Sequence, residues 1–186
     1  MTLVCLDTEF LDDGRRIEPA SLALVSETAE YYGICADSDI TAITRHAWLR
    51  ANVVPHLPII VRGSDWQWDT AHPDFSHVKP RAQIAQEVRA FFTRLQAPEI
   101  WAYFSPFDTI VLSQLFGPMS DLPPEIPAFT LDLMQEARRH AGPLPAQRPP
   151  VHHALHDARH DLLIATTIGL TSQEARSPVS LVPRWD

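Results

Sequence analysis

The chain has little of several things, and each scarcity closes off a class. Only two cysteines are present, Cys5 and Cys35, both inside apolar, strand-like runs. A disulfide-stapled scaffold is thereby excluded, and two reduced, buried thiols are expected. No stretch comes near the roughly 18 uninterrupted apolar residues of a membrane span, so a soluble protein with no membrane partner is expected. The opening MTLVCLDTEF lacks a basic segment and carries acids within its apolar run, unlike a secretory leader; this points to a cytoplasmic protein. Positive charge is scarce as well: Lys79 is the one lysine, and 15 basic residues against 23 acidic ones leave a formal charge of −8. That balance excludes a broad basic surface gripping long nucleic acid. It does not exclude a site that takes only a chain end, because bound divalent ions can hold phosphates in place of lysines.

At 186 residues the chain fits one domain with one substantial core, assigned here to residues 1–170, followed by a tail, 171–186, without periodicity. TLVCL (2–6), SLALV (21–25) and YYGIC (31–35) read as three strands of an opening meander. A helix is expected over TAITRHAWLRANV (41–53), then a loop rich in Trp, His, Asp and Pro as far as Pro80. Ile84, Val88, Phe91, Phe92 and Leu95 recur at helical spacing. EIWAYF (99–104) reads as a central strand, and SPFDTIVLSQLFG (105–117) as a helix with Ser105 as N-cap, Pro106 in the first turn and Gly117 at its end. AFTLDL (128–133) is a weaker strand and MQEARRHAG a short helix. GPLPAQRPP is an extended lead-in to a last helix from about Ala154 to Ile168. Strands first and helices interleaved later give an α/β class with a mixed central sheet flanked by helices.

The strongest local signal for chemistry is LDTEF. Asp7 and Glu9 sit two apart at the end of an apolar strand, so both carboxylates leave the same face. Two acids ending a buried strand call for a positive partner, and a hard divalent cation is the common one; an exposed strand end with both acids in water accounts for a lone D-x-E equally well. Asp108 is a third acid in an apolar setting, just past EIWAYF. Strand C-termini and helix N-termini gather at one edge of a parallel sheet, which would bring it to the first pair. Taken alone, it reads as a helix N-terminal charge.

The segment VHHALHDARHD (151–161) holds the spacing H-x4-D twice, as His152 with Asp157 and His156 with Asp161. Residues five apart on a helix differ by about 140° in direction, so a fully helical pair cannot converge. The spacing works when the histidine precedes the helix and folds back. Pro149 and Pro150 put His152 in that position and leave His156 on the helix. Asp161 shares a face with Asp157 at i and i+4 and reads as a solvated charge in preference to a supporting acid. His153, His156 and His160 read as a polar helix surface in preference to a zinc face.

In order, an acidic pair on the first strand, a mid-chain aspartate at a helix start and H-x4-D on a late helix resemble the DEDDh family of 3′–5′ exonucleases. These are enzymes of RNase H-like fold. DTEF matches with Asp7 and Glu9, FSPFD with Asp108, and HHALHDA with His152 and Asp157. DTEFLDDG, IEPASLALV with Glu18, and FDTIVLSQLFG look closer to small stand-alone 3′-exoribonucleases that prefer polyadenylate. Where many members have His-Asn ahead of the third aspartate, this chain has Tyr103 and Phe104.

The resemblance implies two Mg²⁺ or Mn²⁺ ions per site. Asp7, Glu9 and Asp157 would serve the ion that binds the attacking water, and Asp7 and Asp108 the other. His152 would be the general base, an imidazole being suited to that role near neutral pH. It implies single-stranded RNA 3′ ends as partner and nucleoside 5′-monophosphates as product, and it allows a homodimer. Phe10 and Phe104 flank the strand ends and are assigned to stacking on terminal bases; Tyr103 and Phe107 suit the core. Trp66 and Trp68 read as loop anchors, and Asp132 has no assigned role. The same motifs fit a DNA exonuclease. A helical HD-type phosphohydrolase, suggested by the His-Asp dipeptides, and a non-catalytic RNA-binding module are the other readings.

Overall fold

The structure, a computed structural model, describes residues 1–171; the expected tail, 171–186, lies outside them apart from Thr171. In chain order the elements begin with β1 (Thr2–Asp12), β2 (Ile17–Val25), β3 (Glu30–Cys35), α1 (Ile40–Arg45), α2 (Ala47–Asn52), β4 (Ile59–Arg62), β5 (Asp65–Trp68) and β6 (Val78–Lys79). There follow α3 (Arg81–Thr93), β7 (Pro98–Ala102), α4 (Pro106–Gln114), β8 (Thr130–Asp132), α5 (Leu133–Arg139) and α6 (Ala154–Thr167). β1, β2 and β3 are the expected antiparallel meander. The main sheet has the order β6-β3-β2-β1-β7-β8, in which β2 alone runs against its neighbours. β7 and β8 lie parallel to β1 because each is reached through a helix-containing crossover. This is the expected α/β class, a mixed sheet flanked by helices and compatible with an RNase H-like fold. The sheet is at odds with the helical phosphohydrolase reading.

β1 supplies both layers of the core by alternation. Val4 and Leu6 pack with Leu22, Leu24, Ile84, Val88 and Phe92 on the side of α3 and α4, while Leu3 and Cys5 face Trp101, Leu133, Ile164 and Ala165 on the side of α5 and α6. Burial of each such aliphatic side chain contributes about 2 kcal/mol. Gly33 lets α3 lie directly on β3, since a Cβ there would stand 3.2 Å from Ile84 Cγ1. Ala154 and Ala158 of α6 pack on Ala20, Ala23 and Val25; small residues on both surfaces bring that helix close to the sheet. Ala20 is the unpaired residue of a β-bulge, with Ser21 opposite Glu9 and Pro19 opposite Phe10. Cys5 and Cys35 are buried free thiols, as expected. No helix among the described residues is long and apolar enough to cross a membrane.

Several expectations are corrected. The helix expected over 41–53 is two helices broken at His46, whose extended backbone ends α1 and whose Nδ1 accepts the Leu49 N–H (3.3 Å) to cap α2. The stretch before Pro80, expected as loop, contains the β4-β5 hairpin and β6. Trp66 donates its indole N–H to Thr41 Oγ1 (3.0 Å) and meets Trp68 edge-on, so these rings do anchor that segment. β7 ends at Ala102, and Phe104 takes a left-handed φ of 68° in the turn that follows. Ser105 makes no side-chain cap; its N–H (3.0 Å) and hydroxyl (3.3 Å) both donate to Asp132 Oδ2. Asp132, unassigned from sequence, also caps α5 by accepting the Gln135 N–H at 2.9 Å. One carboxylate therefore ties the start of α4 to the start of α5. Replacing it, Asp132→Ala, is expected to cost about 1 to 2 kcal/mol, as loss of an N-cap does. Thermal denaturation should show this as a fall of roughly 3 to 6 °C.

Candidate active site

Asp7 and Glu9 continue the β1 face on which Leu3 and Cys5 meet α6, so both acids point toward that helix, Glu9 buried and Asp7 half-buried. α6 crosses β1 head to tail: Ile164 and Ala165 cover Leu3 and Cys5, and the helix start lies toward Glu9. Two strand residues advance about 6.6 Å and four helix residues about 6 Å, so the pair Asp7/Glu9 is matched by the pair Asp161/Asp157. Asp161 is 4% exposed, which overturns its assignment as a solvated charge. It accepts the Tyr103 N–H and lies close enough to Cys5 and Asp7 to raise the pKa of both.

Asp108 arrives from the other side of the sheet edge. β7 pairs with β1 only as far as Cys5, while β2 continues along the other edge of β1 to Asp12, so the β7-side edge of β1 beyond Cys5 lacks a strand partner. Asp108 Oδ1 takes the Thr8 N–H (2.9 Å) and the Thr8 hydroxyl (2.6 Å), a bond forced by the need to satisfy a buried amide. Asp108 is thus held next to the first pair through Thr8, 7% exposed, but it neither lines the cleft over the other acids nor joins the group whose ligand atoms converge.

His152 precedes α6, at a left-handed φ of 63°. Its N–H donates back to Asp157 Oδ2 at 2.9 Å, the fold-back that the H-x4-D spacing needs. Gln147 donates to the other Asp157 oxygen. Among the described residues, Glu9, His152 and Asp157 are the one group of three metal-ligating side chains whose ligand atoms converge, all within 4.8 Å of one another. His156 lies outside this group, and the zinc face of His153, His156 and His160 does not form, because His153 turns to Asp74.

A cleft of about 370 Å³ opens over these groups, lined by Asp7, Glu9, Phe10, Trp48, His152 and Asp157 among others. Trp48 meets the His152 ring edge-on at 4.8 Å, and Phe10 stacks on Phe107 at 5.6 Å. Phe104 is exposed beside the cleft but does not line it. Tyr103 and Phe107, expected in the core, are also exposed. Trp48 and Gln147 were not legible from sequence. The tryptophan looks like one more apolar position of a helix, and only the break at His46 swings it over the site.

Burial pushes the Asp7 carboxyl well up, and Asp108, Glu9, Asp161 and Asp157 push it further. Burial raises Glu9 to about 8, helped by Asp157 and Asp108. Burial also raises Asp108 to about 7, against the two hydrogen bonds from Thr8, and it raises Asp157 and Asp161. The charges acting on Asp7 and Glu9 are carboxylates, and Asp7 Oδ2 is buried with no hydrogen-bond partner. Oxygen donors that repel one another, one of them orphaned, fit a hard divalent cation. The raised values also set a pH dependence. A carboxyl whose folded pKa exceeds its unfolded one stabilises the fold at low pH and loses that contribution as pH rises through the folded value. In EDTA the melting temperature should therefore fall by roughly 5 °C or more between pH 5 and pH 9, and Mn²⁺ should restore more of it at pH 9 than at pH 5. A melting temperature flat across that range would contradict the burial of these acids.

No protein-family profile matches the chain. A 3′–5′ exoribonuclease of Mycobacterium tuberculosis, found in strains CDC 1551 and H37Rv, is 35% identical over 161 residues, which is 84% of this chain and 86% of the relative. With that identity over nearly the whole length of both proteins, the chain belongs to the 3′–5′ exoribonuclease family.

Proposed function

We propose that the protein is a metal-dependent exoribonuclease of the DEDDh type that removes nucleotides from single-stranded RNA 3′ ends as nucleoside 5′-monophosphates. The observation that carries this reading is the convergence of Glu9, His152 and Asp157 beside the orphaned Asp7 carboxylate. The named activity of the relative supports the substrate class. Asp7, Glu9 and Asp157 would hold one Mg²⁺ or Mn²⁺ ion, and Asp7 with Asp108 a second. When bound, the pair of ions supplies positive charge to the attacking and leaving oxygens of an in-line displacement at phosphorus.

The chain's own residues do the rest. His152 takes the proton from the attacking water, a task that needs an imidazole within hydrogen-bond reach and a fixed ring. The fixed ring comes from the Trp48 edge and from the backbone bond to Asp157. Phe10 and Trp48 offer aromatic surface to the terminal base, and stacking of this kind contributes about 1 to 3 kcal/mol per base. Asp108 and Thr8 hold the β1 edge open where β7 stops.

The test is a time course on 5′-labelled single-stranded RNA, with matched DNA beside it, in Mg²⁺ or Mn²⁺. A ladder shortening from the 3′ end is expected for RNA and none for Asp7→Ala; trimming from the 5′ end, or activity surviving that substitution, would sink the mechanism. His152→Ala should lower kcat about 100- to 10,000-fold, the range of a general base, while Mn²⁺ still raises its melting temperature. His156→Ala should leave kcat within about threefold, since surface substitutions away from a site are mild; the reverse order would assign the base to the other H-x4-D register.

A further inference from the structure

His153 has no part in the chemistry above, yet it is among the most constrained side chains near it. It is 7% exposed. Its Nε2 lies 3.2 Å from Asp74 Oδ2, across 79 residues of sequence. Its ring stacks on Tyr32 (5.1 Å between centroids, 29° between planes) and meets His156 edge-on at 4.7 Å. With Asp74 accepting, Nε2 carries the ring proton, and Nδ1 is left buried without a partner.

Asp74 is itself fixed. It sits in the short 3₁₀ turn Pro73–His77, where its N–H donates to His72 Nδ1 at 3.1 Å and the Phe75 N–H to the His72 carbonyl at 3.0 Å. The turn runs straight into β6, which pairs in register with β3 through Ile34 and Val78. The position of the Asp74 carboxylate is thus referred to the edge of the main sheet.

Two features of the neighbouring backbone make this anchor matter. His152 holds a left-handed φ, a conformation that costs a non-glycine residue about 1 to 3 kcal/mol and persists only where its surroundings over-determine it. The contact holding it from the acid side is its bond to Asp157, whose carboxylate the proposed function assigns to a cation. Besides the Trp48 edge on its ring, a further hold comes through the next residue. The His153 carbonyl accepts the Asp157 N–H at 3.0 Å, the first bond of α6, so an anchored His153 fixes the helix start and the strained residue before it together.

We propose that Asp74 is a positioning residue for the candidate base, acting on His152 through His153. The inference rests on the functional reading above and deepens it. Asp74→Ala frees the His153 ring, and His152 relaxes out of its left-handed conformation. kcat on single-stranded RNA then falls about 10- to 100-fold, the scale of an ångström-sized misplacement, while KM stays within about twofold because the acids and the aromatic walls are untouched. Asp74→Asn keeps an oxygen that accepts the Nε2 proton and restores most of the rate, which bare loss of fold would not allow.

The deciding experiment is a double-mutant cycle under single-turnover conditions, with a ring-nitrogen NMR spectrum of the full-length chain in Mg²⁺. In the His152→Ala background, Asp74→Ala should change the residual rate by less than about twofold, the non-additivity of residues acting as a unit. In the spectrum, the His152 ring signals, identified by their loss in His152→Ala, should shift or broaden in Asp74→Ala and return in Asp74→Asn. Equal rate losses in both backgrounds, or an unchanged His152 signal in Asp74→Ala, would overturn the inference. Wild-type protein inactive on RNA, or His152→Ala as active as wild type, would instead overturn the functional reading, and the spectrum would still decide whether Asp74 fixes the ring.

Discussion

The structure depends on a match between two rises. Alternate residues of a strand and every fourth residue of a helix advance by nearly the same distance, so one face of β1 can meet one face of α6 residue for residue. Leu3 and Cys5 against Ile164 and Ala165 hold the apolar half of that interface together. The same match, carried toward the helix start, sets Asp7 and Glu9 against Asp161 and Asp157. The packing that stabilises one half therefore compels the repulsion in the other, and the mutual elevation of these carboxyls follows from it. The sheet order puts β1 between β2 and β7, and β7 stops early enough for Asp108 to reach the open edge from α4.

Much of the candidate site's geometry was legible because its signals are local. Two acids ending an apolar strand, and a histidine placed by prolines just ahead of a helix, carry their geometry in their spacing. What was not legible depends on tertiary packing. The i, i+4 relation of Asp157 and Asp161 says that they share a face, but only Ala154 and Ala158, packing on the alanines of β2, decide that this face turns inward. The break between α1 and α2 has neither proline nor glycine to announce it; a histidine side chain caps the second helix. The β4-β5 hairpin hid in a stretch whose alternation is brief and whose tryptophans serve as its attachment. EIWAYF looked like six strand residues, yet the chain turns at Tyr103 and Phe104 with Asp161 holding the Tyr103 amide.

The surface around the cleft agrees with the charge balance of the whole chain. Its walls are rings and carboxylates: Phe10 and Trp48 on the cleft, with Tyr103, Phe104 and Phe107 exposed nearby. A polyanion meeting such a surface gains little from direct ion pairing. On the proposed reading its affinity would come from stacking and from cations held by the acids, both short-ranged compared with a basic patch. A chain of net charge −8 can therefore serve a nucleic-acid end without attracting nucleic acid everywhere else.

The bulge at Ala20 has a consequence for the phase of β2. Counting back from Val25, strict alternation would put Ala23 and Ser21 on the α6 side and Glu18 on the opposite one. The extra residue resets the count. Ala20 packs with Ala23 and Val25, and Glu18 comes to stand beside Leu11 of the same cluster. There its carboxylate receives the Asp39 N–H at 3.1 Å and the Arg81 guanidinium, fastening the starts of α1 and α3 to the far end of the meander. A single unpaired alanine thus chooses the side of the sheet on which that fastening is made.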